Sequence, residues 1–203
     1  MAGIDLTQVF IVFAILVISL TVHEAAHAWS ADRLGDPTAR LLGRVSLNPA
    51  VHVDPIGTLL FPLIALVTNL PVLGWAKPVP VSPSRLQPNW KKKYMAIAAA
   101  GPASNLALAI VAAVLAQVLA DSPADVVLRR AVVLNVFLAV FNMIPVPPLD
   151  GGNVLSGVLS GGAARAFDAL RPYGFVILYG LMFSGGLATL VGPPADFLLS
   201  WLL

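Results

Sequence analysis

The 203-residue chain contains no cysteine, which excludes disulfides, thiolate metal ligands and cysteine nucleophiles. Charge is scarce as well: Asp, Glu, Lys and Arg make up 11% of the residues against 58% hydrophobic ones, and the mean hydropathy is +0.87. A soluble domain carries about a quarter charged residues, so this composition belongs to an integral membrane protein. No basic patch interleaved with aromatics is present, which argues against nucleic acid as a partner. Glutamate is nearly absent, Glu24 standing alone beside nine aspartates. The net charge of +2 comes from basic residues in short loops, which points to membrane orientation.

What is there is a series of charge-free runs, from Leu6 to Val22, Pro55 to Ala76, Tyr94 to Ala120, Ala131 to Leu149 and Pro172 to Ala195. Roughly 20 apolar residues cross a bilayer. The expected fold is an all-α polytopic membrane protein with about four to six membrane helices, a small β-hairpin and a re-entrant segment near the site, all in one membrane domain over residues 1–203. The first run is read as a retained helix rather than a signal peptide, because no Lys or Arg precedes Arg33. Gly35-Asp36-Pro37 supplies its stop signal. Alternation of Val45/Leu47 and Val51/Val53 around Asn48-Pro49 predicts the hairpin within residues 40–54. Helices are expected from about Tyr94 to Ala120 and from Val127 toward Asn142, where prolines and glycines break the chain. A proline-broken helix at membrane depth must be buried in protein or line a wet cavity.

Residues 22 to 29, "VHEAAHAW", place ionisable groups where burial should expel them. His23 and His27 are four residues apart, so on a helix their imidazoles can converge on one ion. Glu24 projects about 100° away, beside the metal without chelating it, where it can take a proton from water. This is the H-E-x-x-H logic of zinc peptidases, and with no thiolates to hand the ligands must be nitrogen and oxygen. Catalytic sites commonly use three protein ligands plus water. Asp150 is the candidate third, since it follows "PVPPL" after an apolar helix and Gly151-Gly152 leave room for close approach. An unpaired carboxylate at membrane depth is costly, so ionisable residues there mark function or a partner.

With these residues the chain resembles the site-2 protease family of intramembrane zinc metalloproteases. "HEAAH" matches the family's first motif. Asn142, Pro145, Leu149, Asp150 and Gly151 match its N-x-x-P-x-x-x-L-D-G motif at every fixed position, and "AGPASN" at 100–105 resembles a third, looser element. "LNPAVHVDPIGT" and "GWAKPVP" are similar to segments of the compact prokaryotic branch, which lacks PDZ and CBS domains. The resemblance implies one Zn2+ held by His23, His27 and Asp150, with Glu24 as catalytic base.

Three polar residues carry open alternatives. Asn105 can donate to a substrate carbonyl or developing oxyanion, or bond across helices. Asn142 either contacts substrate or satisfies backbone opened by Pro145, and His52 either contacts substrate or restrains the site opening, with capping of "DPIG" as its plain role. Asp54 is read as a helix cap.

The functional expectation is a zinc endopeptidase that hydrolyses peptide bonds within or near membrane-spanning segments of other proteins. The alternative is a non-hydrolytic metal-handling membrane protein such as a transporter. Expected partners are membrane-spanning substrates and the lipid bilayer, with no nucleic acid; a homo-oligomer stays open. Basic residues at 33–44 and 77–93 put both loops in the cytoplasm under the positive-inside rule. That predicts an outside N-terminus in a prokaryotic plasma membrane, a site near the cytoplasmic face, and residues 56–73 entering and leaving on one side.

Overall fold

The structure is a computed structural model that describes residues 6–62, 64 and 74–203. Two long helices organise it: α1 (Leu6–Arg33) and, after the short α2 (Thr38–Leu41), α3 (Trp90–Val118). Then follow α4 (Pro123–Asn142), α5 (Asp150–Val158), α6 (Gly161–Asp168), α7 (Gly174–Phe183) and α8 (Gly186–Leu202). Among the described residues every regular element is helical. α1 and α3 are each long and apolar enough to cross a membrane, and the pair Gly161–Phe183 with Gly186–Leu202, bent by 79°, adds a third span if counted as one. The expectation of four to six spans is thereby reduced. α4 has the length, but Asp125, Arg129 and Arg130 in its first two turns keep it out of that class. The re-entrant reading of 56–73 falls largely on 63 and 65–73, outside the described residues.

The expected β-hairpin is absent from residues 40–54. Asn48 instead caps a 3-10 turn, Pro49–Val51, its side chain accepting from Ala50 N at 3.0 Å. Pro49 then sits where its missing N–H leaves no donor unpaired. Asp54 is a cap, accepting from Ile56 N and Gly57 N ahead of the π-helical turn Pro55–Leu60. Apolar alternation at 45–53 therefore belongs to a folded loop, in which Val45 and Leu47 are exposed while Arg44 and His52 are buried, and not to a paired strand.

Packing is inverted relative to a soluble protein. Phe10, Val118 and Trp201 are more than 70% exposed, while Ser19, Thr21, His23, Glu24, Asn105 and Asn135 are buried. Polar groups face inward because lipid offers them no hydrogen bonds. The apolar core joins Ala109, Ala112 and Ala113 of α3 to Val132 and Val136 of α4 and Val191 and Ala195 of α8. Small residues on α3 let the neighbouring backbones approach closely. A four-residue turn at 119–122 makes α3 and α4 an antiparallel pair, so Asn105 and Asn135, roughly equidistant from it, meet.

Asp36, fully buried, ties the end of α1 to the loop before α3. It accepts from the amide and hydroxyl of Thr38 and from Ser82 N. Burial works against its charge, but these three donors outweigh it and hold the carboxyl below its ordinary 3.8. With the folded-state value the lower one, the stabilisation exists above the unfolded pKa and disappears as pH falls through the folded one. Asp36→Asn turns an acceptor into a donor and is expected to cost about 2 kcal/mol at pH 7. The gap from the wild type should narrow below about pH 4, as read by thermal unfolding of the solubilised protein. A gap constant from pH 7 to pH 3 would remove Asp36 as a staple.

Candidate metal centre

α1 carries His23 and His27 one turn apart on its inward face, and α5 begins at Asp150. The structure brings these three together. His23 Nε2 lies 3.1 Å from His27 Nε2 and 3.1 Å from Asp150 Oδ2, and His27 Nε2 lies 3.3 Å from the same oxygen. Three atoms at these separations outline one face of a tetrahedron. A four-coordinate ion with bonds of about 2.0–2.1 Å requires edges of about 3.3 Å.

Hydrogen bonding on the far side of each ring decides what the near side offers. His27 Nδ1 is 2.7 Å from the carbonyl oxygen of Ile97, which can only accept, so Nδ1 carries the proton. For His23 the direction is set through three helices. Asn135 Nδ2 donates to the Ala131 carbonyl at 2.9 Å, turning its Oδ1 to accept from Asn105 Nδ2 at 3.0 Å. That turns Asn105 Oδ1 toward His23 Nδ1 at 2.6 Å, which must donate. In their neutral form both rings then aim bare Nε2 lone pairs at each other and at a carboxylate oxygen. Such a cluster repels itself unless a cation sits within it, and the donor set suits a metal that takes nitrogen and oxygen.

Glycines allow this closeness. A Cβ at Gly101 of α3 would lie 2.6 Å from His23 Cε1 and Nε2, so the helix backbone itself backs the imidazoles. A Cβ at Gly151 would collide with the Met143 carbonyl, so only glycine lets α5 start against the 143–146 turn and present Asp150.

Glu24 is buried and its Oε2 has no hydrogen-bond partner among the described residues. It shares a cavity of about 580 Å³ with His23, His27, Asp150, Asn142 and Trp75. Segment 74–82 borders this cavity. Arg44 Nη1 and Nη2 hold the carbonyls of Pro78 and Lys77, Thr58 Oγ1 donates to Trp75 O at 2.8 Å, and Lys77 N donates to His52 O at 2.9 Å. The His52 ring bonds Ser46 O at 2.8 Å and does not line the cavity. Asn142 does, its Nδ2 donating to Leu138 O. Asn105 is spent between helices, on His23, Asn135 and Ser19. Sequence reasoning missed Asn135, Gly101 and Arg44. The paired positions of Asn105 and Asn135 about the 119–122 turn were the available signal for the first.

The profile of peptidase family M50 matches residues 11–127 and 117–181. The chain belongs to peptidase family M50. Among its relatives is the "Putative zinc metalloprotease YwhC" of Bacillus subtilis, 35% identical over 175 residues, which covers 80% of this chain and 75% of the relative. The "Putative zinc metalloprotease Rip2" of Mycolicibacterium smegmatis is 32% identical over 183 residues, 87% of this chain and 68% of that protein. Its namesake in Mycobacterium tuberculosis is 29% identical over 166 residues, covering 80% and 62%. No solved structure matches.

For this M50 chain the asparagine relay makes a quantitative expectation. Asn105→Leu removes the acceptor that holds the His23 tautomer and should weaken divalent-metal affinity by about 10–100-fold, measured by chelator competition at unchanged helicity. Asn135→Leu should act in the same direction through Asn105. Unaltered affinity in both variants would mean that the relay does not orient the ring.

Proposed function

We propose that the chain is an intramembrane zinc endopeptidase, in which His23, His27 and Asp150 hold the zinc and Glu24 is the catalytic base. The observation that carries the reading is the convergence of His23 Nε2, His27 Nε2 and an Asp150 carboxylate oxygen beside a buried Glu24 oxygen that has no hydrogen-bond partner among the described residues, all in one cavity. Bound zinc supplies Lewis-acid polarisation of a carbonyl and lowers the pKa of water toward 7. Glu24 accepts the water proton during attack on the peptide carbonyl and returns it to the leaving amine. Its Oε2 is available because no other group among the described residues uses it. A metal-handling protein that does not hydrolyse has no use for a non-ligating carboxylate there, so the transporter alternative is not favoured.

Substrates are membrane-spanning segments of other proteins. Their peptide bonds are hidden in helical hydrogen bonds, so the bound segment unwinds before a carbonyl reaches the site. Asn142 is the cavity residue suited to meet it, with Oδ1 an acceptor for a freed substrate N–H. Asn105 acts behind His23, and His52 acts through its backbone on the segment bordering the cavity. The four central groups come from one chain, so the reaction requires no second copy. α8 extends past the matched residues yet packs on α4 through Val191 and Ala195, which supports one peptidase unit over 1–203.

Orientation follows from charge and geometry together. With 33–44 and 77–93 cytoplasmic, the N-terminus is outside and His23 lies about 26 Å along α1 from Leu6 at 1.5 Å per residue. α3 then runs outward and α4 returns. Arg129 and Arg130 at the outer turn count against this, although Arg129 is paired with Asp125 at 2.9 Å. The bacterial relatives support a plasma-membrane location.

Glu24→Gln should keep zinc while cleavage of a single-span substrate falls by about 10²–10⁴-fold; His23→Ala and Asp150→Ala should lose zinc as well. Metal analysis beside fragment mapping separates the outcomes, and zinc loss from a folded Glu24→Gln protein would make Glu24 a ligand and undo the mechanism. For topology, single cysteines at Ser84, Ser122 and Ser160 are treated with an impermeant thiol reagent on intact cells. Labelling is expected at Ser122 alone; labelling at Ser84 would show that residues 56–73 cross the membrane.

A further inference from the structure

A second cavity, of about 210 Å³, lies between the start of α3 and the end of α5, and none of the metal group lines it. Its walls include Trp90, Lys91, Tyr94, Ser156, Asp168 and Arg171. Gly157 brings the two helices together, since a Cβ there would lie 2.8 Å from Met95 Cβ and 3.2 Å from the Lys91 carbonyl oxygen.

Charge in this hollow is unbalanced. Asp168 is answered by Arg171, Nε to Oδ1 at 3.0 Å, and also accepts from Ser156 Oγ at 3.4 Å. Lys91 has no carboxylate partner among the described residues; its Nζ donates to Leu159 O at 3.3 Å and lies 6.0 Å from the Trp90 ring centroid. Lys92 and Lys93 follow, and the first turn of α3 contains no acidic residue. Three ammonium groups at the positive end of a long helix are mutually unfavourable and oppose its dipole. Arg171 spends Nε on Asp168 and Nη1 on Asn153 Oδ1 at 3.1 Å, which holds the planar guanidinium with Nη2 left to donate among the described residues.

Depth identifies the missing anion. The cavity sits where a membrane-crossing helix begins, and Trp90 and Tyr94 are residues that rest at headgroup level. The negative group a bilayer presents there is a phosphodiester. Asp168, the one carboxylate in the lining, is already paired, so nothing remains to meet the cation of a choline headgroup. We propose that this cavity binds the phosphate of an anionic phospholipid headgroup between Lys91 Nζ and Arg171 Nη2. Lys92 and Lys93 add attraction to the anionic surface around it.

The test reads lipid binding and is independent of peptidase activity. Purified protein is titrated with phosphatidylglycerol or phosphatidylcholine, and retained lipids are counted by native mass spectrometry. The wild type should retain phosphatidylglycerol preferentially. Lys91→Gln and Arg171→Gln should each weaken retention about fivefold, equivalent to about 1 kcal/mol for a basic residue at an anionic surface. Lys92→Gln, outside the cavity, should change it less than about twofold, and Lys91→Arg should restore it. Equal retention of phosphatidylcholine, or equal losses at 91 and 92, would mean diffuse surface attraction and overturn the site. Binding of glycerol 3-phosphate as tight as that of the lipid would assign the cavity to a free phosphate and overturn the lipid reading. Unfolding midpoints are measured alongside, and Lys91→Gln, which breaks no ion pair, decides the matter if Arg171→Gln fails to fold.

Discussion

The Nε2 lone pairs of His23 and His27 face each other across 3.1 Å, with a carboxylate oxygen of Asp150 equally close to the first. Holding them so, buried away from bulk solvent, constrains nearly everything around them. Each Nδ1 proton must be taken by an oxygen that cannot give one back, or the tautomer is lost. For His27 the α3 backbone at Ile97 does this. For His23 the requirement passes through Asn105 to Asn135 and ends at the Ala131 carbonyl, so α1, α3 and α4 are joined at one level by polar bonds. Gly101 follows from the same demand, because a side chain there would occupy the imidazoles' place.

The membrane turns this network into a fold determinant. An apolar surround provides no driving force for helix association through burial, so shape and internal hydrogen bonds must supply it. Here alanines at 109, 112 and 113 shape the α3 surface, and the two asparagines lock its register against α4. The polar groups needed to aim a histidine are therefore also the groups that assemble the helices.

How much of this was legible in the sequence depends on whether the signal was local. His23, Glu24 and His27 are readable because helical spacing alone puts them together, and Asp150 because it is an aspartate beside two glycines in a charge-poor run. Asn135 had no local signal, since an asparagine inside "LNVFLAV" belongs to no motif and only its position opposite Asn105 across the 119–122 turn gives it meaning. The use of Asn105 was equally hidden: its amide suits an oxyanion as well as an asparagine, and only tertiary structure shows where its donors go. The hairpin expected at 40–54 failed for the opposite reason. Local alternation was real, but Asn48 and Pro49 favour a capped 3-10 turn over strand pairing. Span counting failed where α4 mixes charges into its first turns and where Gly185, with φ of +77°, lets the chain bend before α8.

One short helix links the chemistry to the membrane surface. α5 begins with Asp150 at the metal group, places Asn153 on the cavity wall, and reaches Ser156 and Gly157 beside Lys91 and Trp90. Six residues of helix separate Asp150 from Ser156, so the two cannot differ in depth by more than about 9 Å at 1.5 Å per residue. A hydrocarbon core is about 30 Å thick, and the residues beside Ser156 are those of its boundary. With Trp90 and Tyr94 taken as boundary residues, the candidate metal group falls in the third of the bilayer nearest the lysine cluster, whichever side is cytoplasmic. That depth reconciles two opposed needs. The site must be deep enough to meet a spanning helix, yet close enough to the surface for a 580 Å³ cavity to admit the water that hydrolysis consumes.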